Sequence, residues 1–385
     1  MHEIINEPMT AMVGRPTWLE IDLDAIVHNF RLAKTTVGDR VDVYPVVKAD
    51  GYGLGAEPIA LALQKAGATG FCVALLEEAE ALQAVGIIKP IILLSGLGFG
   101  LESRVMDMGL QPFVYSAEQV LRLLRLLPLA KPAQPITVHL KIDTGMGRLG
   151  VSPQSVRPLI EQLSRVPGLH LAGVATHLAC ADEAERSETA RQVQQMQELL
   201  SSIAIPMRVS MANSAGILAH PKTHGDWVRP GIMLYGASPF FPQTTWERHG
   251  LRPVVQWLSQ VIQIRTMAAG QSIGYGHTFT TTRPSRIAQV PVGYGDGFSR
   301  SLGNRGWALV AGQRVPIVGR VCMDSIALDV TALPQLQVGD RVTLLGRDGT
   351  EFIGIEEMAA WVETIPYEVL CRLGRRLRRV YYHGT

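Results

Sequence analysis

An excess of charge of one sign is missing from this chain: its 385 residues carry 36 Lys and Arg against 34 Asp and Glu, a formal net charge of +2. That balance excludes the electrostatic footprint of a general nucleic-acid binder. The local exception, Arg375, Arg376, Arg378 and Arg379, has no aromatic stacking residues interleaved and reads as a solvated strand face. Cysteine is scarce as well. Cys72, Cys180, Cys322 and Cys371 lie far apart with no C-x-x-C pair, so the expectation is reduced thiols, no structural metal and no redox disulfide. No uninterrupted apolar run approaches the ~20 residues of a membrane helix. The first fifteen residues contain Glu3 and Glu7 and lack the basic start and apolar stretch of a secretory signal. A soluble cytoplasmic protein with no membrane or nucleic-acid partner is therefore expected.

What is present is apolar. Hydrophobic residues make up 47% and charged residues only 18%, below the ~25% charged of an average domain, so much of the chain should be interior or subunit contact. At ~150 residues per domain the length suggests two to three domains. Gly and Pro, 38 and 23 residues, are spread evenly, which suits many short elements joined by tight turns.

From Val41 to about Gly236 short β-branched runs alternate with helical stretches. VDVYPVV, GFCVA, PIILLS, PFVY, ITVHLKI, LHLAGVATH, MRVSMA and VRPGIMLYG are eight candidate strands, separated by segments such as 76–86, 117–127, 153–166 and 185–202. Parallel strands need crossover connections, and near-continuous apolar strands imply burial on both faces. The pattern predicts an α/β fold with an eight-stranded β/α (TIM-type) barrel, favoured over an open doubly wound sheet because no G-x-G-x-x-G turn follows the first strand. After about Phe241 the pattern turns to strands without intervening helices, a mostly β C-terminal domain. The expected division is 1–240 for the barrel and 241–385 for the β domain, with the strand at about 17–23 able to pair with the latter.

A barrel of this kind carries its site at the C-terminal strand ends. The first strand ends in Val46-Val47-Lys48. A lysine closing a buried run can serve as a Schiff-base amine, or can be a snorkelling surface group. The fifth ends in Lys141-Ile142-Asp143-Thr144-Gly145-Met146-Gly147-Arg148, where glycines let the backbone bend round a ligand and Arg148 offers a fork for a carboxylate. The sixth delivers Thr176-His177, the seventh Asn213-Ser214 at the start of a short helix, and the eighth region Arg229-Pro230-Gly231-Ile232. Each has an ordinary structural alternative. Together, a lysine amine, an anion cradle and a carboxylate clamp describe a pyridoxal 5'-phosphate site for an amino acid.

VVKADGYG (46–53), LKIDTGMGRLGV (140–151), THLACAD (176–182), NSAG (213–216), DWVRPGIMLYG (226–236), IGYG (273–276), GYGDG (293–297) and VPIVGRVCMD (315–324) resemble, in order and over nearly the whole chain, the motifs of the alanine racemases. The resemblance implies a homodimer that racemises alanine with pyridoxal phosphate and supplies D-alanine for the cell wall. It implies that Lys48 carries the cofactor and acts as base on one face of the substrate. Tyr275, from the β domain of the second subunit, would act on the other. It gives the phosphate to Tyr52, Ser214, Gly231, Ile232 and Tyr367, with Asn213 beside them. Arg229 would face the pyridine nitrogen, and His177 and Arg229 would bring positive charge to the tyrosine. Arg148 and the Met323 backbone would bind the substrate carboxylate, Tyr294 would narrow the entrance, and Lys141 matches a lysine that is often carbamylated. One departure is Leu54, where the family motif usually has histidine. The alternatives are a fold-type III amino-acid decarboxylase, against which Tyr275 and the Cys322-Met323-Asp324 run argue, and a non-enzymatic pyridoxal-phosphate-binding regulator, which would lack the β domain.

Overall fold

The structure, a computed structural model, describes residues 4–5, 14–130, 135–203 and 205–384. The chain divides into two compact units, one made of Val27–Gly51 and Ala56–Leu234, the other of Met1–Ile26, Tyr52–Gly55 and Tyr235–Thr385.

In the first unit each of the eight apolar runs holds a strand. These are β2 (Asp42–Val43), β3 (Phe71–Val73), β4 (Ile91–Leu93), β5 (Gln111–Val114), β6 (Ile136–Lys141), β7 (Leu169–Ala175), β8 (Arg208–Ser210) and β9 (Trp227–Val228), following β1 (Thr17–Asp22), which belongs to the second unit. β3 to β8 form one parallel sheet in chain order, and β9 pairs parallel with β2. The ring closes at two seams. Val46 bridges Cys72 and the Val47 amide donates to the Cys72 carbonyl at 2.9 Å; across the ring the Asp226 amide donates to the Val209 carbonyl at 2.8 Å. Among the described residues this is a closed barrel of eight parallel strands, as the sequence pattern predicts. Helices occupy the crossovers, because a parallel pair cannot be joined by a tight turn. Pro153–Ser164 begins with proline at its first turn and buries Val156, Leu159, Ile160 and Leu163, the i, i+3, i+4, i+7 stripe of a helix lying on a sheet. Inside the barrel Trp227 packs edge-on to Tyr44 (5.1 Å) and lies 5.2 Å from the His139 ring. The Phe113 and His139 rings are 6.0 Å apart. His139 Nε2 meets Gln111 Oε1 at 3.0 Å, and burial takes its imidazole down to about 3, so this aromatic layer is uncharged.

The second unit is organised by a mostly antiparallel sheet. β1 (Thr17–Asp22) runs parallel to β17 (Arg378–Tyr382) and antiparallel to β10 (Val255–Gln260). From β10 the order continues through β16 (Arg341–Asp348), β13 (Trp307–Val310), β14 (Gln313–Val318), β15 (Ile326–Asp329), β12 (Ser285–Val290) and β11 (Gln263–Met267). The N-terminal strand is thus an inner strand of this sheet, its residues Thr17 to Ile21 all buried. Two features depart from the sequence reading. The long run 254–267 is broken into β10 and β11 near Val261, and the segment after Gly354 contains helices Ile355–Trp361 and Pro366–Cys371 where only strands were expected. Both helices are about two turns or less, too short for hydrophobic periodicity to declare itself.

One carboxylate couples this unit to pH. Glu356 is buried and accepts the Ser238 amide at 2.9 Å. Burial pushes its carboxyl up to about 7, against the lowering effect of the Ser238 and Trp246 amides and with the help of Glu247. The folded chain keeps this proton while the unfolded chain has released it, so stability falls as pH rises from the ordinary carboxylate range through about 7. Glu356→Gln retains an acceptor for Ser238 and removes the titration. Thermal melts of the variant from about pH 5 to about pH 8 should show a smaller loss of stability than wild type; an unchanged pH slope would contradict the assignment.

Candidate active site

Lys48 follows the first barrel run, and the chain then enters a left-handed turn. Ala49, Asp50, Gly51 and Tyr52 have φ of 52°, 54°, 58° and 54°. Each non-glycine residue in this conformation costs roughly 1–2 kcal/mol, so the surroundings must hold it. The Gly51 amide donates to the Val47 carbonyl at 2.9 Å, Asp50 Oδ1 accepts the Ala56 amide at 3.0 Å, and Glu78 Oε1 accepts the Ala49 amide at 2.6 Å. Glu78 uses its other oxygen on the amides of Ala74 (2.7 Å) and Leu75 (3.1 Å). One carboxylate therefore ties the turn that aims Lys48 to the start of the helix Leu76–Ala84. Glu78 was not among the expected site residues; its place three residues into a helix, in the capping position, was the available signal.

Arg229 is buried inside the barrel. Its guanidinium donates to the Ser210 hydroxyl, to the Thr176 carbonyl at 2.7 Å and to the Met211 carbonyl at 3.3 Å, and lies 5.4 Å from the Trp227 ring centre. Among the described residues no carboxylate pairs with it. Burial lowers its basicity to about 10, yet it stays cationic near neutral pH. Burial raises the Cys72 thiol to about 12, partly offset by Arg229 and Lys48.

Other cations crowd the same place. Lys141 is buried with Nζ 5.9 Å from the Phe113 ring centre, and burial, then Arg229 and Arg148, take its amine well below the usual lysine range, with Asp143 opposing. Half-buried His177 is likewise held well below the histidine range, first by burial and then by Arg229, Lys141, Arg148 and Lys48. His177 is therefore a neutral imidazole near pH 7, and the fixed positive charge is that of Arg229. Arg148 itself is exposed, on a turn organised by Asp143, whose Oδ1 accepts the amides of Gly145 (2.9 Å) and Gly147 (3.1 Å). Burial would raise this carboxyl, but those amides and that of Met146 outweigh it and hold it below the usual range. Five sequence-predicted residues, Lys48, Lys141, Arg148, His177 and Arg229, thus share one electrostatic neighbourhood, which carries more positive than negative charge.

The residues expected to cradle an anion include several at the ends of β8 and β9. Ser214 Oγ accepts the Gly231 amide at 2.9 Å and the Met233 amide at 3.4 Å, while Asn213 Oδ1 caps Ser214–Ala219 by accepting the Gly216 amide at 2.9 Å. Ile232 is fully buried. In the β unit Tyr52 stacks on Tyr235 with ring centres 4.4 Å apart, and its ring lies 6.1 Å from that of Tyr367. Leu54 is fully buried, its carbonyl accepting the Tyr381 hydroxyl at 2.8 Å, so an apolar side chain suits this position.

Tyr275 sits at the tip of a hairpin formed by Ser272–Ile273 and Phe279–Thr280. Gly274 and Gly276 flank it at φ of 70° and 69°, and the side chain is 72% exposed. A tyrosine presented so openly on its own unit is free to face another surface. Met323 and Tyr294 are exposed too, at 53% and 44%.

Residues 21–239 match the family described as alanine racemase, N-terminal domain, and residues 254–381 the alanine racemase C-terminal domain. The alanine racemase of Syntrophobacter fumaroxidans is 40% identical over 378 residues, covering 96% of this chain and 98% of that protein; that of Halothermothrix orenii is 39% identical, covering 97% and 98%. Among solved structures, alanine racemase from E. faecalis superposes with a TM-score of 0.91 at 36% identity, over 96% of this chain and 100% of that one. The Bartonella henselae alanine racemase, solved with covalently bound pyridoxal phosphate, gives 0.86 at 35% identity over the same shares. With both halves matched and full-length relatives at this identity, the chain belongs to the alanine racemase family.

Proposed function

We propose that this chain interconverts L- and D-alanine with pyridoxal 5'-phosphate, and the observation that carries the reading is the surplus of buried and half-buried cationic and imidazole groups at the strand ends. A buried guanidinium with no carboxylate is costly unless an anion or dipoles answer it. A ligand bearing a phosphate and meeting an amino acid's carboxylate fits that donor set, which offers Arg229, Lys48, Arg148, the Ser214 hydroxyl and the Gly231 and Ile232 backbone. Its phosphate is assigned to Tyr52, Ser214, Gly231, Ile232 and Tyr367, with Asn213 ordering the short helix beside them. Once bound, the cofactor supplies an electron sink for negative charge at the substrate Cα.

The chain's own residues then divide the work. Lys48 holds the cofactor covalently and moves the Cα proton on one face. Tyr275, contributed by the second subunit, moves it on the opposite face, because a proton returned to the side it left would regenerate the starting enantiomer. Arg229 would donate a hydrogen bond to the pyridine nitrogen and, having no acidic proton to hand over, would leave that nitrogen unprotonated, which would disfavour side reactions. Arg229 also supplies the positive charge that favours the phenolate of Tyr275, with neutral His177 as the hydrogen-bonding link. Arg148 and the Met323 amide bind the substrate carboxylate, Lys141 supports Arg148 and is the candidate for carbamylation, and Tyr294 narrows the entrance. The division 1–240 and 241–385, the homodimer, a cytoplasmic location and a role in supplying D-alanine for the cell wall belong to the same reading. A decarboxylase is the weaker alternative, since it has no need of a second base such as Tyr275.

Racemisation followed by chiral chromatography tests this reading. Tyr275→Phe is expected to keep the cofactor and lose roughly a hundred- to ten-thousandfold in rate, while Lys48→Ala loses the covalent cofactor linkage seen in the absorption spectrum. Wild-type turnover by the phenylalanine variant would remove Tyr275 from the mechanism, and release of carbon dioxide without racemisation would favour the decarboxylase. Arg148→Ala is expected to raise KM for alanine by about tenfold or more with a smaller effect on kcat, the loss of one charge-assisted contact. Unchanged saturation would show that Arg148 does not hold the carboxylate.

A further inference from the structure

Two loops of the β unit, 293–297 and 322–324, are fastened together at several points. The Tyr294 amide donates to the Cys322 carbonyl at 3.0 Å and the Gly295 amide to the Met323 carbonyl at 2.9 Å. No side chain fits between them: a Cβ on Gly293 would lie 2.3 Å from the Cys322 oxygen. The fastening continues through side chains. Asp296 is fully buried, accepts the Gly293 amide at 2.9 Å and receives both Nη atoms of Arg15 at 2.6 Å. Arg376 donates to Asp296 from Nε at 3.1 Å and to Asp324 from Nη1 at 2.8 Å. One guanidinium thus joins a buried carboxylate in one loop to an exposed carboxylate in the other. Asp324 is the residue after Met323, whose carbonyl is already held by Gly295. Among the described residues the Met323 N–H has no hydrogen-bond partner, in a loop that is otherwise pinned and whose Met323 is exposed.

The planar fork of arginine fixes both carboxylates at once, which a lysine ammonium does with less geometric control. Arg15 lies 281 residues from Asp296 in sequence, so the arrangement also ties the entry to β1 to the site loops. Arg15 and Arg376 hold the Asp296 carboxyl below its ordinary range despite burial, so it is charged whenever the protein is at neutral pH.

We propose that Asp296 and Arg376 are positioning residues of the substrate site: through Asp324 they hold the Met323 N–H where the substrate carboxylate is received. This rests on the reading of Met323 as a carboxylate contact. A displacement of about 1 Å in such a donor is enough to cost a large factor in reactivity.

The test avoids Asp296, whose replacement in the core risks the fold, and uses Arg376→Gln and Asp324→Asn, side chains 45% and 62% exposed, singly and together in the cofactor-loaded protein. The readouts are the Kd of propionate by calorimetry, KM and kcat for both alanine enantiomers, and the melting temperature. Each single variant is expected to weaken propionate and raise KM by about tenfold, with a smaller change in kcat. The double variant should do no worse than Arg376→Gln alone, because that substitution already removes the contact to Asp324. Arg376→Lys should restore only part of the loss. Propionate binding unchanged by Arg376→Gln, or independent addition of the two effects, overturns the proposal. If Arg148→Ala weakens propionate and Arg376→Gln does not, this inference alone fails. If neither does, the carboxylate-site reading fails and takes the inference with it.

Discussion

A guanidinium buried inside a barrel without a carboxylate partner is the constraint from which the rest of the site follows. Arg229 donates to the Ser210 hydroxyl and the carbonyls of Thr176 and Met211, all neutral acceptors, and rests against Trp227. The charge is dispersed but not cancelled, and it is felt by Cys72, His139, Lys141 and His177. Lys141 and His177 are driven toward their neutral forms, first by burial and then by this charge, so the site avoids the repulsion of a fully protonated cluster. What remains is a place that welcomes an anion and an imidazole that can pass a hydrogen bond without adding charge. A carboxylate opposite Arg229 would have relieved the strain and also provided an acid able to protonate a bound ring nitrogen; the barrel offers none there among the described residues.

Rigidity is supplied at the two places where reach matters. Lys48 is followed by a left-handed turn that neither Ala49 nor Asp50 adopts cheaply, and Glu78 and Asp50 hold it through four backbone amides in and around the turn and the next helix. The Met323 loop is held by the Asp296, Arg376 and Asp324 chain. In both cases a carboxylate fixes a backbone that carries a residue assigned to the site. Such residues act by geometry, so their removal is felt in binding and alignment more than in the chemistry itself.

Much of this could be read from the chain alone, because the signals were local. Buried runs such as Phe71–Val73 and Ile91–Leu93 are apolar on both faces, as barrel strands are, and Lys48, His177 and Arg229 stand as polar residues close after such runs, with Ser214 and Arg148 a few residues further on. Tyr275 was found through its motif, not through any periodicity. Other features were hidden for physical reasons. The pairing of Arg15 with Asp296 joins residues too distant in sequence for any local pattern to connect. The two short helices after Gly354 span too few turns to show a stripe. The neutral state of His177 depends on its burial and on the charge of residues brought from three other segments, and the role of Glu78 depends on a turn whose handedness Gly51 only hints at.

The central claim is that proton transfer occurs at the substrate Cα from both faces of one site. Reaction of each alanine enantiomer in deuterium oxide, followed by mass spectrometry and chiral separation, tests it directly. The account predicts that L-alanine yields D-alanine carrying deuterium at Cα, that D-alanine yields labelled L-alanine, and that the two directions approach the same equal mixture. Deuterium appearing only in unconverted substrate, with no enantiomer formed, would mean a single base and would contradict it.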